Sequence, residues 1–98
     1  MNITKYMNQI GKEIRQQRED EQRILNEVAA VASLEFAERA AGVLDPRKYL
    51  YGFETYLSLL QNLLETLLAG MPPDDALDAV QTGWSAERIL AIWRLSEA

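Results

Sequence analysis

Two groups of acidic residues are the side chains whose type and spacing could support chemistry. Asp74, Asp75 and Asp78 would fall within about one helical turn, and carboxylate oxygens are ligands that Mg²⁺ prefers. Glu35 and Glu38 would share one helix face, where a pair could hold Mg²⁺ or take part in acid–base catalysis. Neither group has convergent partners nearby in the sequence, and acidic residues in a first helical turn already complement the helix dipole. We therefore predict no metal site, no cofactor and no catalytic residue.

The D-D-x-x-D spacing at residues 74–78 resembles the motif with which prenyl-chain synthases hold Mg²⁺ on a diphosphate. Those helical enzymes are several times longer and enclose a deep cavity, which a chain of 98 residues cannot do. The sequence also contains no histidine and no cysteine. The commonest general base and the usual zinc ligands are therefore missing. We interpret the chain as a protein that is not an enzyme.

The formal net charge of −5 is spread unevenly along the chain. Residues 1–18 contain four basic side chains and one acidic side chain, a net of +3, whereas the remainder contains six basic and fourteen acidic side chains, a net of −8. An acidic chain of this kind is poorly suited to nucleic acid. We see neither an apolar leader nor an apolar run of membrane-spanning length, so we expect a cytoplasmic protein without membrane contact.

A central helix is predicted by the densest apolar periodicity in the sequence, between residues 45 and 70. Asp45 is a good N-cap followed by Pro46, and Gly70 precedes two prolines that end the helix. The predicted stripe is wide enough to contact more than one neighbouring helix. It consists of Leu50, Phe53, Leu57, Leu60, Leu64 and Leu67, flanked by Tyr49, Tyr56, Leu63 and Leu68.

The preceding sequence favours one long helix from about residue 3 to residue 41. Residues 15–23 have no apolar side chain but are strong helix formers without Gly or Pro, which favours a continuous rod over a hinge. Such a helix would be about 55–60 Å long, against about 35 Å for the central helix, and would overhang it by about 20 Å.

Two short helices complete the predicted fold. Asp74 and Asp75 begin the first, and Ser85 caps the second, with Trp84 and Ile89 packed across that cap. We predict an all-α single domain over residues 1–98. It would be a four-helix bundle with two long helices and a C-terminal short helix pair, in which residues 24–98 form the body and residues 1–18 are the candidate projection.

The projecting segment is the leading candidate for partner binding. Its apolar positions recur at helical spacing between basic residues, which suits a helix-in-groove or coiled-coil contact. A membrane-surface helix and a segment folded back onto its own core remain alternatives. We expect a non-enzymatic adaptor, assembly factor or regulator that binds a protein partner or itself. The candidate residues are Ile3, Tyr6, Met7, Ile10, Ile14, Arg15 and Arg18, with Tyr51 and Leu59 as an additional patch off the central stripe.

Residues 76–93 offer an alternative, because Ala79, Gly83 and Ile89 match the spacing of a helix-turn-helix. The resemblance implies that the second helix would enter the major groove, where it offers Ser85, Arg88 and Arg94. Two arginines on an acidic body would bind DNA phosphates only weakly. The same pattern also suits a helical corner that closes the bundle. A further alternative is an acidic inhibitor that occupies the nucleic-acid groove of a partner.

Overall fold

The computed structural model describes residues 3–47 and 52–97 and shows an all-helical chain. Over these residues there are five helices and no strand, so the predicted count of four helices is wrong. The helices are α1 (Ile3–Val31), α2 (Leu34–Val43), α3 (Phe53–Leu68), α4 (Pro73–Val80) and α5 (Ala86–Glu97).

Helix α3 is the centre of the fold, since it packs against α1 and also against α4 and α5. Its apolar face is so broad that seven of its sixteen residues are buried. The one buried polar side chain among them, Thr66, donates its hydroxyl hydrogen to the Leu63 carbonyl oxygen at 2.8 Å, so its hydrogen-bonding capacity is satisfied within the helix. The buried residues are Tyr56, Leu59, Leu60, Leu63, Leu64, Thr66 and Leu67.

The buried face of α3 is rotated from the predicted stripe. Leu59 was expected off the stripe as part of an exposed patch, but it is only 7% exposed and belongs to the core, so that prediction is wrong. Conversely, Leu68 is 65% exposed. The rotation accompanies the packing of α3 against three helices, α1, α4 and α5, instead of a single neighbour. Tyr49, Leu50 and Tyr51 lie outside the described residues.

The predicted rod through residues 15–23 is confirmed, because α1 is uninterrupted from Ile3 to Val31. Its continuation to residue 41 is wrong. Ser33 adopts an extended conformation, and its hydroxyl oxygen accepts a hydrogen bond from the Phe36 amide at 3.0 Å, which caps a new helix. The break lets α2 place Phe36, Ala37 and Ala40 in the core.

The predicted start of the central helix at Pro46 is also wrong. Asp45 accepts a hydrogen bond from the Arg47 amide at 2.9 Å and forms an ion pair with its guanidinium at 2.7 Å, which produces a local turn instead of a helix cap. Helix α3 begins at Phe53, with Gly52 as its N-cap. Leu44 remains buried next to this turn and anchors it to the core.

The C-terminal pair agrees with the sequence prediction. Helices α4 and α5 are joined by a turn in which Gly83 has a φ of +82°, a left-handed conformation that glycine adopts without strain. The Ser85 hydroxyl oxygen then accepts a hydrogen bond from the Arg88 amide at 3.2 Å and caps α5. Ala86 and Ile89 are buried below this cap.

A matched pair of substitutions on α3 tests its central role. Leu63→Ala removes a fully buried side chain and should lower the free energy of unfolding by about 2–5 kcal/mol through lost burial and a residual cavity. Leu68→Ala removes an exposed side chain and should change it by no more than about 0.5 kcal/mol. Urea unfolding followed by circular dichroism measures both. Equal losses for the two variants would contradict this assignment of the core face.

Candidate interaction surfaces

The N-terminal part of α1, residues 3–18, forms a projection that we call the head. Among the described side chains of α1, the first that is buried is Ile24, and none of those in the head is buried. At about 1.5 Å per residue the head is about 24 Å long, and the whole molecule has a longest dimension of 59 Å. The fold-back alternative requires a hinge within residues 16–22, and the continuous helix contradicts it.

The head continues the core-facing side of α1. Residues 14, 21 and 28 are seven apart and therefore lie on nearly the same face. Val28 is fully buried and Glu21 is partly buried, whereas Ile14 is 47% exposed. Helical register places positions 3, 7 and 10 on this face as well. The face that packs against the body at residues 21–28 thus runs on into the head beyond the reach of α3.

Of the basic residues of the head, Arg18 and Arg15 flank this face, whereas position 12 lies on the opposite side of the helix. The Arg15 side chain donates a hydrogen bond to the Gly11 carbonyl oxygen of its own helix at 3.3 Å, and its guanidinium remains exposed. Arg18 is exposed and lines a cleft of about 750 Å³ at the base of the head. Glu21, Asp45 and Arg47 also line this cleft, which therefore carries charges of both signs.

Tyr56 lines the same cleft and connects the start of α3 with α1. Its ring lies edge-on to Phe53, with the ring centroids 5.4 Å apart. Burial is the largest cause that raises the pKa of the Tyr56 hydroxyl far above its ordinary value; a hydrogen bond to the Glu21 carboxylate and the charges of Glu21 and Asp45 add to it. The neutral phenol donates a hydrogen bond and stabilises the contact between the start of α3 and α1.

A second surface is a groove of about 320 Å³ between α4 and α5, which we call the α4–α5 groove. Asp75 and Thr82 are its polar members. Trp84 is 38% exposed and Ile92 is 42% exposed, so two large apolar side chains face solvent at its wall. The apolar lining consists of Met71, Ala79, Trp84, Ile89, Ile92 and Trp93.

The three residues considered for DNA contact in the helix-turn-helix alternative stabilise α5 or lie in its last turn. The hydroxyl of Ser85 caps α5, and the Arg88 guanidinium lies 4.1 Å from the centre of the Trp84 ring. Arg94 is exposed in the last turn of α5, where a cation complements the helix dipole. Residues 73–97 contain five acidic and two basic side chains, a net of −3, which is unfavourable beside phosphates.

The acidic groups considered for metal binding do not converge. Asp74 forms an ion pair with Arg39 of α2, Asp75 faces the α4–α5 groove, and Asp78 is exposed. Within residues 3–47 and 52–97, no group of three or more acidic side chains is arranged to hold a metal ion. Nor is any helix of these ranges long and apolar enough to cross a membrane.

The head was predictable from the sequence, whereas the α4–α5 groove was not. The sequence placed Trp84 and Ile89 across a helix cap, but it could not show that these positions enclose a cavity with Met71. The one available signal was a pair of tryptophans nine residues apart, one just before α5 and one within it. Of the remaining candidates, Ile3, Tyr6, Met7 and Ile10 lie on α1, although their side chains are not described.

Comparison with known proteins adds no assignment. The chain matches no protein-family model, no curated protein and no solved structure. Its own surfaces, the head and the α4–α5 groove, are therefore the basis on which a function can be inferred.

The Tyr56–Glu21 contact predicts a specific loss of stability in alkali. An unfolded tyrosine ionises near pH 10, whereas folded Tyr56 keeps its proton because its pKa is raised, so the contribution of Tyr56 is present below about pH 10 and is lost as the pH rises further. Between pH 8 and pH 11 the wild type should lose about 1.4 kcal/mol more unfolding free energy than Tyr56→Phe. Urea unfolding of both proteins at the two pH values measures the difference. An identical pH dependence would show that Tyr56 is not protected in the folded state.

Proposed function

We propose that this protein is a non-enzymatic helical interaction protein, an adaptor, assembly factor or regulator, that acts through helix–helix contacts and self-associates through its head. The observation that carries the proposal is the uninterrupted helix α1, which extends about four turns beyond the body without a buried side chain among those described. We keep the cytoplasm as the expected compartment.

The apolar face of the head supports this proposal. Ile14 lies on the face that Val28 buries against the body, yet 47% of its surface remains exposed. An apolar stripe that leaves the body without a change of face is suited to contact a further helix, and exposed stripes of this kind mark interaction sites. Arg15 and Arg18, which flank it, would add electrostatic preference for an acidic partner.

The charge distribution makes a second copy of the chain a suitable partner. Residues 1–18 carry a net charge of +3 and the rest of the chain a net charge of −8, so each molecule offers both complementary surfaces. DNA binding is not part of the proposal, because acidic side chains outnumber basic ones around Arg88 and Arg94. The lack of histidine and cysteine supports a function without catalysis.

The double substitution Ile10→Asp and Ile14→Asp tests the head. It places two carboxylates on the apolar face and should abolish self-association, while the helical content of the body and its urea midpoint stay close to those of the wild type. Sedimentation velocity measures the association, and circular dichroism measures the fold.

A matched control is Leu34→Asp, which changes a 68% exposed leucine on α2, away from the head. This control should associate as the wild type does. An unchanged sedimentation profile in the double variant would refute self-association through the head.

A further inference from the structure

The α4–α5 groove is large enough to accept side chains from another helix. Its volume of about 320 Å³ is at the lower end of the range for ligand pockets, enough for a few apolar side chains. Its wall holds Trp84 in a fixed orientation, because the Arg88 guanidinium stacks on the indole ring at 4.1 Å. Tryptophan and arginine are among the residue types most often responsible for binding energy at protein interfaces.

The head of the same molecule cannot fill this groove. Tyr56, near the start of α3, lines the cleft at the base of the head together with Glu21, whereas Asp74, just after α3, pairs with Arg39 of α2. Helix α3 therefore runs away from the head, and the groove is formed by elements that follow its far end. Because α1 is continuous, the head points away from the body and cannot turn back. A head that occupies the groove has to come from another molecule.

The charges identify the kind of helix that fits. Residues 73–97, which form most of the groove, have a net charge of −3, and Asp75 lies in the groove lining itself. The head is basic and has an apolar face at the i, i+4, i+7 and i+11 positions of a groove-binding helix. Pairing two heads with each other would instead bring two segments of +3 together, which like-charge repulsion opposes.

We propose that the apolar face of the head of one molecule docks in the α4–α5 groove of a second molecule, with Asp75 facing Arg15 and Arg18, the basic side chains that flank that face. This inference rests on the proposed self-association and names its acceptor. The contact joins two different surfaces, so an open assembly of any length still presents one unused head at one end and one unused groove at the other. Assembly is therefore head-to-tail and produces open chains or closed rings, the smallest of which is a dimer with two reciprocal contacts.

A complementation experiment tests this arrangement. Ile92→Asp places a charge at a 42% exposed wall position and should weaken association by about thirtyfold or more, the loss expected for a central interface residue. Trp84→Glu, at the other exposed wall position, should do the same. The head variant Ile10→Asp with Ile14→Asp retains an intact groove, whereas each groove variant retains an intact head.

Each variant alone should be monomeric in light scattering at a concentration where the wild type assembles. An equimolar mixture of the head variant and a groove variant should form a discrete dimer of two 11.1 kDa chains, because only one head and one groove remain functional. Circular dichroism and urea unfolding establish that every variant is folded, and Leu34→Asp serves as the control that assembles normally.

The outcomes separate the two proposals. If folded groove variants assemble as the wild type does while the head variant does not, the head binds elsewhere; the inference is overturned and the proposed function stands. If all variants are monomeric and folded but the mixture yields no dimer, pairing of head and groove is likewise overturned. If the head variant assembles normally, the proposed function itself fails.

Discussion

The apolar face of α3 is the constraint on which the rest of the structure depends. Seven of its residues are buried, and no single neighbouring helix can cover a face of that width. The chain therefore places α1 on one side of α3 and the α4–α5 pair on the other. Because α3 has only sixteen residues against twenty-nine in α1, the cover that it can give to α1 ends near residue 21. The projecting head is a direct consequence of this difference in length.

The elements that the sequence predicted correctly are those defined by local chemistry. Ser85 caps α5 by a hydrogen bond within its own first turn, and Gly83 supplies a positive φ in the preceding turn. The rod through residues 15–23 likewise follows from helix propensity alone. In each case the residues that decide the structure are a few positions apart, so the sequence displays the whole cause.

The elements that were not predicted are decided by packing between distant residues. Ser33 can cap a helix, but the chain breaks there because Phe36 and Ala40 can then enter the core from α2. Asp45 had two possible roles, and its ion pair with Arg47 stabilises a turn where a helix start was predicted. The burial of Leu59 depends on how α3 packs into the core, and the α4–α5 groove depends on how α4 and α5 are placed relative to each other. Such arrangements have no signature within a single helix.

The protein therefore combines a basic, apolar head with an acidic body whose groove faces solvent. We propose that copies of it assemble through these surfaces. Light scattering behind size exclusion, run on the wild type over a hundredfold range of concentration, tests this most directly. Assembly of head into groove predicts a mass that rises with concentration above 11.1 kDa and falls again when salt screens the opposite charges. A mass of one chain at every concentration and at low salt would contradict it.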